Sequence, residues 1–297
     1  MSDRPVIKPP VWTWEVPLYF YFGGLGGASA GVARLAEARG DVVLARRAST
    51  LALVGSLASP VLLVSDLGRP ARFLNMLRMF KVTSPMSVGS WILVSFGAAT
   101  GIGWLDLTRD GVVPGGRAAR SASAVLGLPL ASYTAVLIAN TAVPVWHESR
   151  RILPFVFVTG AAASAGAGLT MLTPPREAAP ARRLAIGGAV AEVALSRLME
   201  HRLGELSDAY RSGSARTLGL AADAALALGA AVISRATRSR RAAVAGGALI
   251  TAGAVLTRWN IFRAGVQSAK DPRHTVAPQR RRIEASSATE PLTAQGR

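Results

Sequence analysis

The chain contains no cysteine. Disulfides, thiolate-bound zinc and an iron–sulfur cluster held by this chain alone are thereby excluded, since each needs cysteine ligands. Histidine is nearly as scarce, with only His147, His201 and His274. The first two fall at the ends of apolar runs and the third in a polar tail. No two face each other across helices, so a bis-histidine haem has no ligand supply. Charge is also in short supply: 17% of the 297 residues are charged, against about 25% in a typical soluble domain. Too few polar side chains remain to coat a soluble surface. Residues 1–17 also lack the short apolar core and small-residue cleavage site of a removable signal peptide.

Apolar sequence is what the chain has in quantity. Half of its residues are hydrophobic and the mean hydropathy is +0.32. A membrane span needs roughly 20 mainly apolar residues. Runs of this kind occur at 18–35, 48–65, 88–107, 121–145, 153–172, 184–199, 218–233 and 242–262. The sixth and seventh are short, rich in alanine and interrupted by acids. The pattern predicts an all-α polytopic membrane protein of about eight transmembrane helices in two four-helix bundles. The paired prolines Pro174 and Pro175 mark a hinge, because they cannot continue a helix. Residues 1–172 are read as an N-terminal four-helix bundle, 173–267 as a C-terminal helical bundle and 268–297 as a basic, disordered tail.

A net charge of +17 raises the question of nucleic acid, which basic proteins bind through its phosphates. Here the lysines and arginines sit almost entirely between the apolar runs, the ordinary pattern of loops flanking membrane spans. No nucleic-acid partner is expected. The arginine run 280–282 in the tail suits anionic membrane lipid. With eight spans, the side holding the N-terminus, the even connections and the tail carries the larger share of the 34 Lys and Arg. Both termini are therefore expected on the cytoplasmic side of a cell membrane. In span one, Gly23, Gly27 and Gly31 recur at four-residue spacing, a small-residue stripe that lets helices approach closely. The stripe follows no strand, so it is not a dinucleotide fingerprint.

The polar residues at the margins of the first four spans are the candidates for chemistry. Trp14, Glu15, Tyr19 and Tyr21 crowd the start of span one, and Asp66 ends span two. A basic connector with Arg69, Arg72, Arg78 and Lys81 then leads to Trp91. Tyr133 and Asn140 lie seven residues apart in span four, nearly two helical turns, and so on one face of a continuous helix. Both can donate to a carbonyl oxygen, which suits a quinone head group. Glu15 and Asp66 are the candidates to exchange the protons of quinone chemistry. Other readings stand beside these: an aromatic belt for Trp12, Trp14, Tyr19 and Tyr21, and interhelical hydrogen bonding for Tyr133 and Asn140. Glu192 and Asp223, deep in spans six and seven, are costly there unless paired or hydrated. They either mark a proton path or pair with Arg258 or each other.

Four segments carry a resemblance: W-x-x-P-x-Y-F at 14–20, DLGRPxRF at 66–73, TSPMSxGSW at 83–91, and 133–146 ending P-V-W. Together they span roughly residues 12–160, and they resemble the NrfD/PsrC-type quinone-interacting membrane subunits of polysulfide reductase-like complexes. The resemblance implies an eight-helix subunit, itself without haem or cluster, that binds menaquinone or ubiquinone in its first bundle. It also implies an iron–sulfur electron-transfer partner at the membrane surface, beside a molybdopterin catalytic subunit. Tyr133 aligns with the family tyrosine that contacts a quinone carbonyl, and Tyr19 falls where some members place a histidine. The quinone pocket is thus expected from Tyr133, Asn140, Tyr19, Trp14 and Arg69, with Asp66 and Glu15 in proton exchange. A structural anchor without quinone chemistry, and a transporter built on Gly-interrupted spans with buried acids, are the competing functions.

Overall fold

The computed structural model describes residues 8, 10–69, 71–271 and 273. Every regular element among them is helical. In chain order these are α1 (Glu15–Ala38), α2 (Val42–Asp66), α3 (Ala71–Leu77), α4 (Pro85–Thr108), α5 (Gly116–Ala139), α6 (Pro144–Glu148), α7 (Leu153–Leu172), α8 (Ala179–Arg202), α9 (Asp208–Arg211), α10 (Gly213–Ser234) and α11 (Arg240–Lys270). The helix starts follow from local chemistry. The Asp41 carboxylate accepts from the Leu44 amide at 3.0 Å to open α2. Ser239 Oγ accepts from the Ala242 amide at 3.2 Å to open α11. Each satisfies an amide that the first helical turn leaves without a partner.

Six helices, α2, α4, α5, α7, α10 and α11, are long and apolar enough to cross a membrane. The seventh expected span, α10, is among them, but the first and sixth, α1 and α8, are not. In α8 the cause is charge, with Arg182, Arg183, Glu192, Arg197 and Glu200 all on one helix. In α1 it is glycine and the polar end near Arg34 and Glu37. α1 is nevertheless an interior element: more than half of its residues are buried, against α2, α5 and α7. A helix enclosed by protein has no need of a lipid-matching surface. α2 and α5 also pack on α4, while α7 packs on α8 and α11, and α10 on α11 and α8.

Span four is interrupted. α5 ends at Ala139, and the chain turns through 140–143 before Pro144 opens the short α6. Proline lacks the amide that would continue α5 but is well suited to a first helical turn. At the other extreme, α11 runs through Lys270 with Ser268 and Ala269 buried, past the point where the sequence places the start of the tail. Apart from Asp271 and Arg273, the rest of the tail lies outside the described residues.

The glycine stripe does bring backbones together, at Gly27 of the stripe and at the neighbouring Gly26. A Cβ built on Gly27 would lie 2.4 Å from the Gly127 carbonyl oxygen of α5, and one on Gly55 of α2 would lie 2.6 Å from the Gly26 backbone. Gly31 faces open space. Gly27→Val is therefore expected to destabilise the chain by about 1–3 kcal/mol through overpacking. Gly31→Ala is expected to leave it unchanged or raise its stability by about 0.5–1 kcal/mol. Thermal unfolding of the two variants in detergent separates these outcomes, and equal losses would refute the assignment. At the α1 C-terminal end, Arg120 of α5 bonds Glu37 at 2.7 Å and also pairs with the buried Asp106. Asp106 in turn accepts from the Val113 amide at 3.0 Å. This network ties α1, α4 and α5 together at the end remote from Glu15.

Candidate functional site

The remaining polar features gather at the opposite end, where α1 begins and α2 and α5 stop. The connector 66–91 forms α3 and then a tight return. Ser84 caps α4, accepting from the Ser87 amide at 3.4 Å. Ser87 Oγ accepts from the Lys81 amide at 3.1 Å and donates to the Met79 carbonyl at 3.0 Å. The two serines of the TSPMS segment thus fold the connector back onto the first turn of α4. That turn delivers Gly89 directly against the Tyr133 ring of α5: a Cβ at Gly89 would lie 1.7 Å from Tyr133 Cζ and 2.1 Å from its Oη. Only a glycine leaves room for the phenol.

Tyr133 is 8% exposed and Tyr19 of α1 is 3% exposed, and the two lie within electrostatic range of each other. Neither phenol hydroxyl has a hydrogen-bond partner among the described residues. Two largely buried phenols whose hydroxyls make no such hydrogen bond can both donate to a ligand with carbonyl oxygens. Both rings are buried, unlike the exposed ring of Trp14. Tyr21, 8% exposed, is equally interior.

The two proposed proton-exchanging acids are brought together through a residue that the sequence reading passed over. Thr13 Oγ1 lies within hydrogen-bond reach of both the Glu15 carboxylate and Asp66 Oδ1, the latter at 3.3 Å, and its single proton serves one of them at a time. The Thr13 amide also approaches the same Asp66 oxygen, at 3.4 Å. Thr13 precedes the first helix and carries no pattern; its role exists only because α1 and α2 are antiparallel neighbours, which puts position 13 beside position 66.

Three of the expected pocket residues stand apart. Asn140 is exposed at the C-cap of α5, where its backbone amide still bonds the Val136 carbonyl at 3.0 Å. Trp14 is 55% exposed, as an interfacial belt residue would be. Arg69 is exposed on the connector. Trp12, by contrast, is partly buried. It stacks on Trp146 with ring centroids 5.7 Å apart and 20° between planes. The fully buried Trp146 donates from Nε1 to the Ile261 carbonyl at 2.9 Å. This aromatic stack pins the segment before α1 to α6 and α11. Among the described residues no group of three or more His, Asp or Glu is arranged to hold a metal ion.

An all-helical chain with six membrane-length apolar helices and its buried phenols and linked acids at one end of the helices is a multi-pass membrane protein. Its sequence matches the model of a family described as NrfD_2, polysulfide reductase, over residues 6–270. The chain belongs to this polysulfide reductase NrfD family. The match takes in the second half, well beyond the 12–160 region that the short motifs cover. No curated protein matches the chain. Members of the family are generally parts of oxidoreductase complexes, and the apolar helices fit a membrane anchor of a respiratory complex.

Proposed function

We propose that the chain is the membrane subunit through which a quinone pool exchanges electrons and protons with an iron–sulfur protein docked beside it, itself joined to a molybdopterin catalytic subunit. In this reading α1 and α8 cross the membrane with the other six, giving eight spans in two groups of four, and both termini face the cytoplasm. The observation that carries it is the pair of buried tyrosines with uncommitted hydroxyls, one of them seated on Gly89. Menaquinone or ubiquinone, when bound, supplies the coupled electron and proton chemistry. Tyr133 Oη and Tyr19 Oη donate to the head-group oxygens and fix its orientation. The Glu15–Thr13–Asp66 cluster gives and takes protons at the same end. The exposed connector, with Arg69, Arg72, Arg78 and Lys81, lies on the surface available to the partner.

The reading is tested with Tyr133→Phe, which keeps the ring and removes only the hydroxyl. Quinol-linked turnover of the purified complex is expected to fall about tenfold or more, the effect of losing one hydrogen bond to a developing charge. Co-purification of the partner subunits should be unchanged. Turnover at the wild-type rate would remove Tyr133 from the mechanism and leave the structural anchor as the better account.

A further inference from the structure

A second polar site lies at the same end of the helices, in the other half of the chain. α8 ends there at Arg202, α9 follows the turn Gly204–Ser207, and α10 starts at Gly213. Between these elements and α11 is a cavity of about 280 Å3, lined by Arg197, Arg211 and Arg216 against a single carboxylate, Glu200. His201, Tyr210 and Asn260 complete its polar lining. Arg197 is already engaged, bonding Glu200 at 3.2 Å and also pairing with Asp223 of α10. Arg211 and Arg216 form no ion pair among the described residues, so the cavity carries uncompensated positive charge.

The inner wall holds two polar atoms without partners. Tyr210 is 4% exposed and Asn260 is 7% exposed, and neither Tyr210 Oη nor Asn260 Oδ1 has a hydrogen-bond partner. One is a donor and the other an acceptor. Burial pushes the Tyr210 hydroxyl above the ordinary tyrosine range, and the nearby Glu200 carboxylate adds to the effect. The hydroxyl therefore remains a donor at physiological pH. Orphaned buried groups of this kind are rare in native proteins and costly unless something fills the site. Leu220, 55% exposed, lines the same cavity and stands on α10, one of the membrane-length apolar helices. The cavity thus joins free cations to an apolar surface.

We propose that this cavity binds a phosphate-bearing anion that also carries a hydroxyl, the chemistry of a glycerol-phosphate head group. Arg211 and Arg216 hold the phosphate, Tyr210 Oη donates to it, and Asn260 Oδ1 accepts from the ligand hydroxyl. Basic pockets between membrane helices recognise anionic head groups through such contacts, and guanidinium forks match phosphate oxygens. The same chemistry is available from an anionic phospholipid or from a soluble glycerol phosphate.

Native mass spectrometry of the full chain, delipidated in detergent and titrated with phosphatidylglycerol, phosphatidylcholine and glycerol 3-phosphate, tests this. Wild type is expected to retain phosphatidylglycerol in preference to phosphatidylcholine. Replacing both exposed arginines (Arg211→Gln with Arg216→Gln) should weaken that retention about tenfold or more, as two charge-assisted contacts are lost. Failure of glycerol 3-phosphate to displace the lipid identifies the source as membrane lipid; displacement at comparable concentration identifies a soluble ligand. Tyr210→Phe should weaken retention while raising the melting temperature of the lipid-free chain, because it removes an unpaired buried hydroxyl. A purely packing role would move only the melting temperature. Equal retention of both lipids by wild type, or unchanged retention in the double arginine variant, overturns the proposal.

Discussion

Arg258→Met is expected to destabilise the chain by about 3–5 kcal/mol, the cost of leaving a buried charge without its partner. Arg258 of α11 is 2% exposed and Glu192 of α8 is fully buried, and their side chains meet at 2.8 Å. The guanidinium also donates to the Phe157 carbonyl at 3.0 Å and lies over the Phe157 ring, 4.4 Å from its centroid. Gly160 of α7 makes room for the pair: a Cβ there would lie 2.3 Å from Glu192 Oε1 and 2.4 Å from Arg258 Nη2. Removing the cation strands the carboxylate, one of whose oxygens, Oε2, already lacks a partner. Removing both charges is a different matter. Glu192→Leu combined with Arg258→Met should recover most of the loss, because a well-packed apolar replacement of a buried pair is often neutral or stabilising. Thermal unfolding in detergent measures both. Equal destabilisation of the single and double variants would mean that packing, not charge, dominates the site.

Gly89→Ala is expected to reduce quinol-linked turnover about a hundredfold, the effect of displacing a reacting group by roughly 1 Å. Carbon atoms in contact sit about 3.5–4.0 Å apart, whereas the added methyl would lie 1.7 Å from Tyr133 Cζ. The ring must move, and its hydroxyl moves with it. The structural cost is about 1–3 kcal/mol, so the protein should still assemble. A second variant separates packing from function: Gly89→Ala added to Tyr133→Phe should destabilise the chain as it does in wild type but lower turnover little further, because the hydroxyl is already gone. Wild-type turnover in Gly89→Ala alone would show that the position of the Tyr133 hydroxyl is immaterial, and the proposed quinone site would fail with it.

Both predictions rest on helix-to-helix proximities that the linear pattern left open. The reading of Glu192 and Asp223 had several outcomes: a proton path, or pairing with Arg258 or with each other. Folding assigns Glu192 to Arg258 and Asp223 to Arg197. Helical spacing predicts faces within one helix, so it placed Tyr133 correctly as an apolar-face residue. Asn140, the C-cap of the same helix, is exposed, because Pro144 and the turn before it end α5 there. Gly89 stood in plain view inside the TSPMSxGSW segment. Its role was hidden because the phenol it accommodates is 44 positions further on in the chain. A glycine within an apolar helical run, four residues after the proline that follows a capping serine, is the signal that would have drawn attention to it.

By itself the sequence determined the class of this protein. Absent cysteine, scarce histidine and long uncharged runs exclude a cysteine-bound cofactor and a soluble surface, because ligand supply and solvation are properties of composition. Membrane residence and family membership follow from runs and motifs contiguous in the chain. Tertiary structure alone decided which polar groups meet: Thr13 between Glu15 and Asp66, Gly89 beneath Tyr133, Tyr19 within electrostatic range of that phenol, and the orphaned Tyr210 and Asn260 around a basic cavity. It also decided that glycine-rich α1 lies inside the helical assembly. Hydrogen bonds and van der Waals contacts act over a few ångströms, and only packing of the helices brings residues far apart in sequence within that reach.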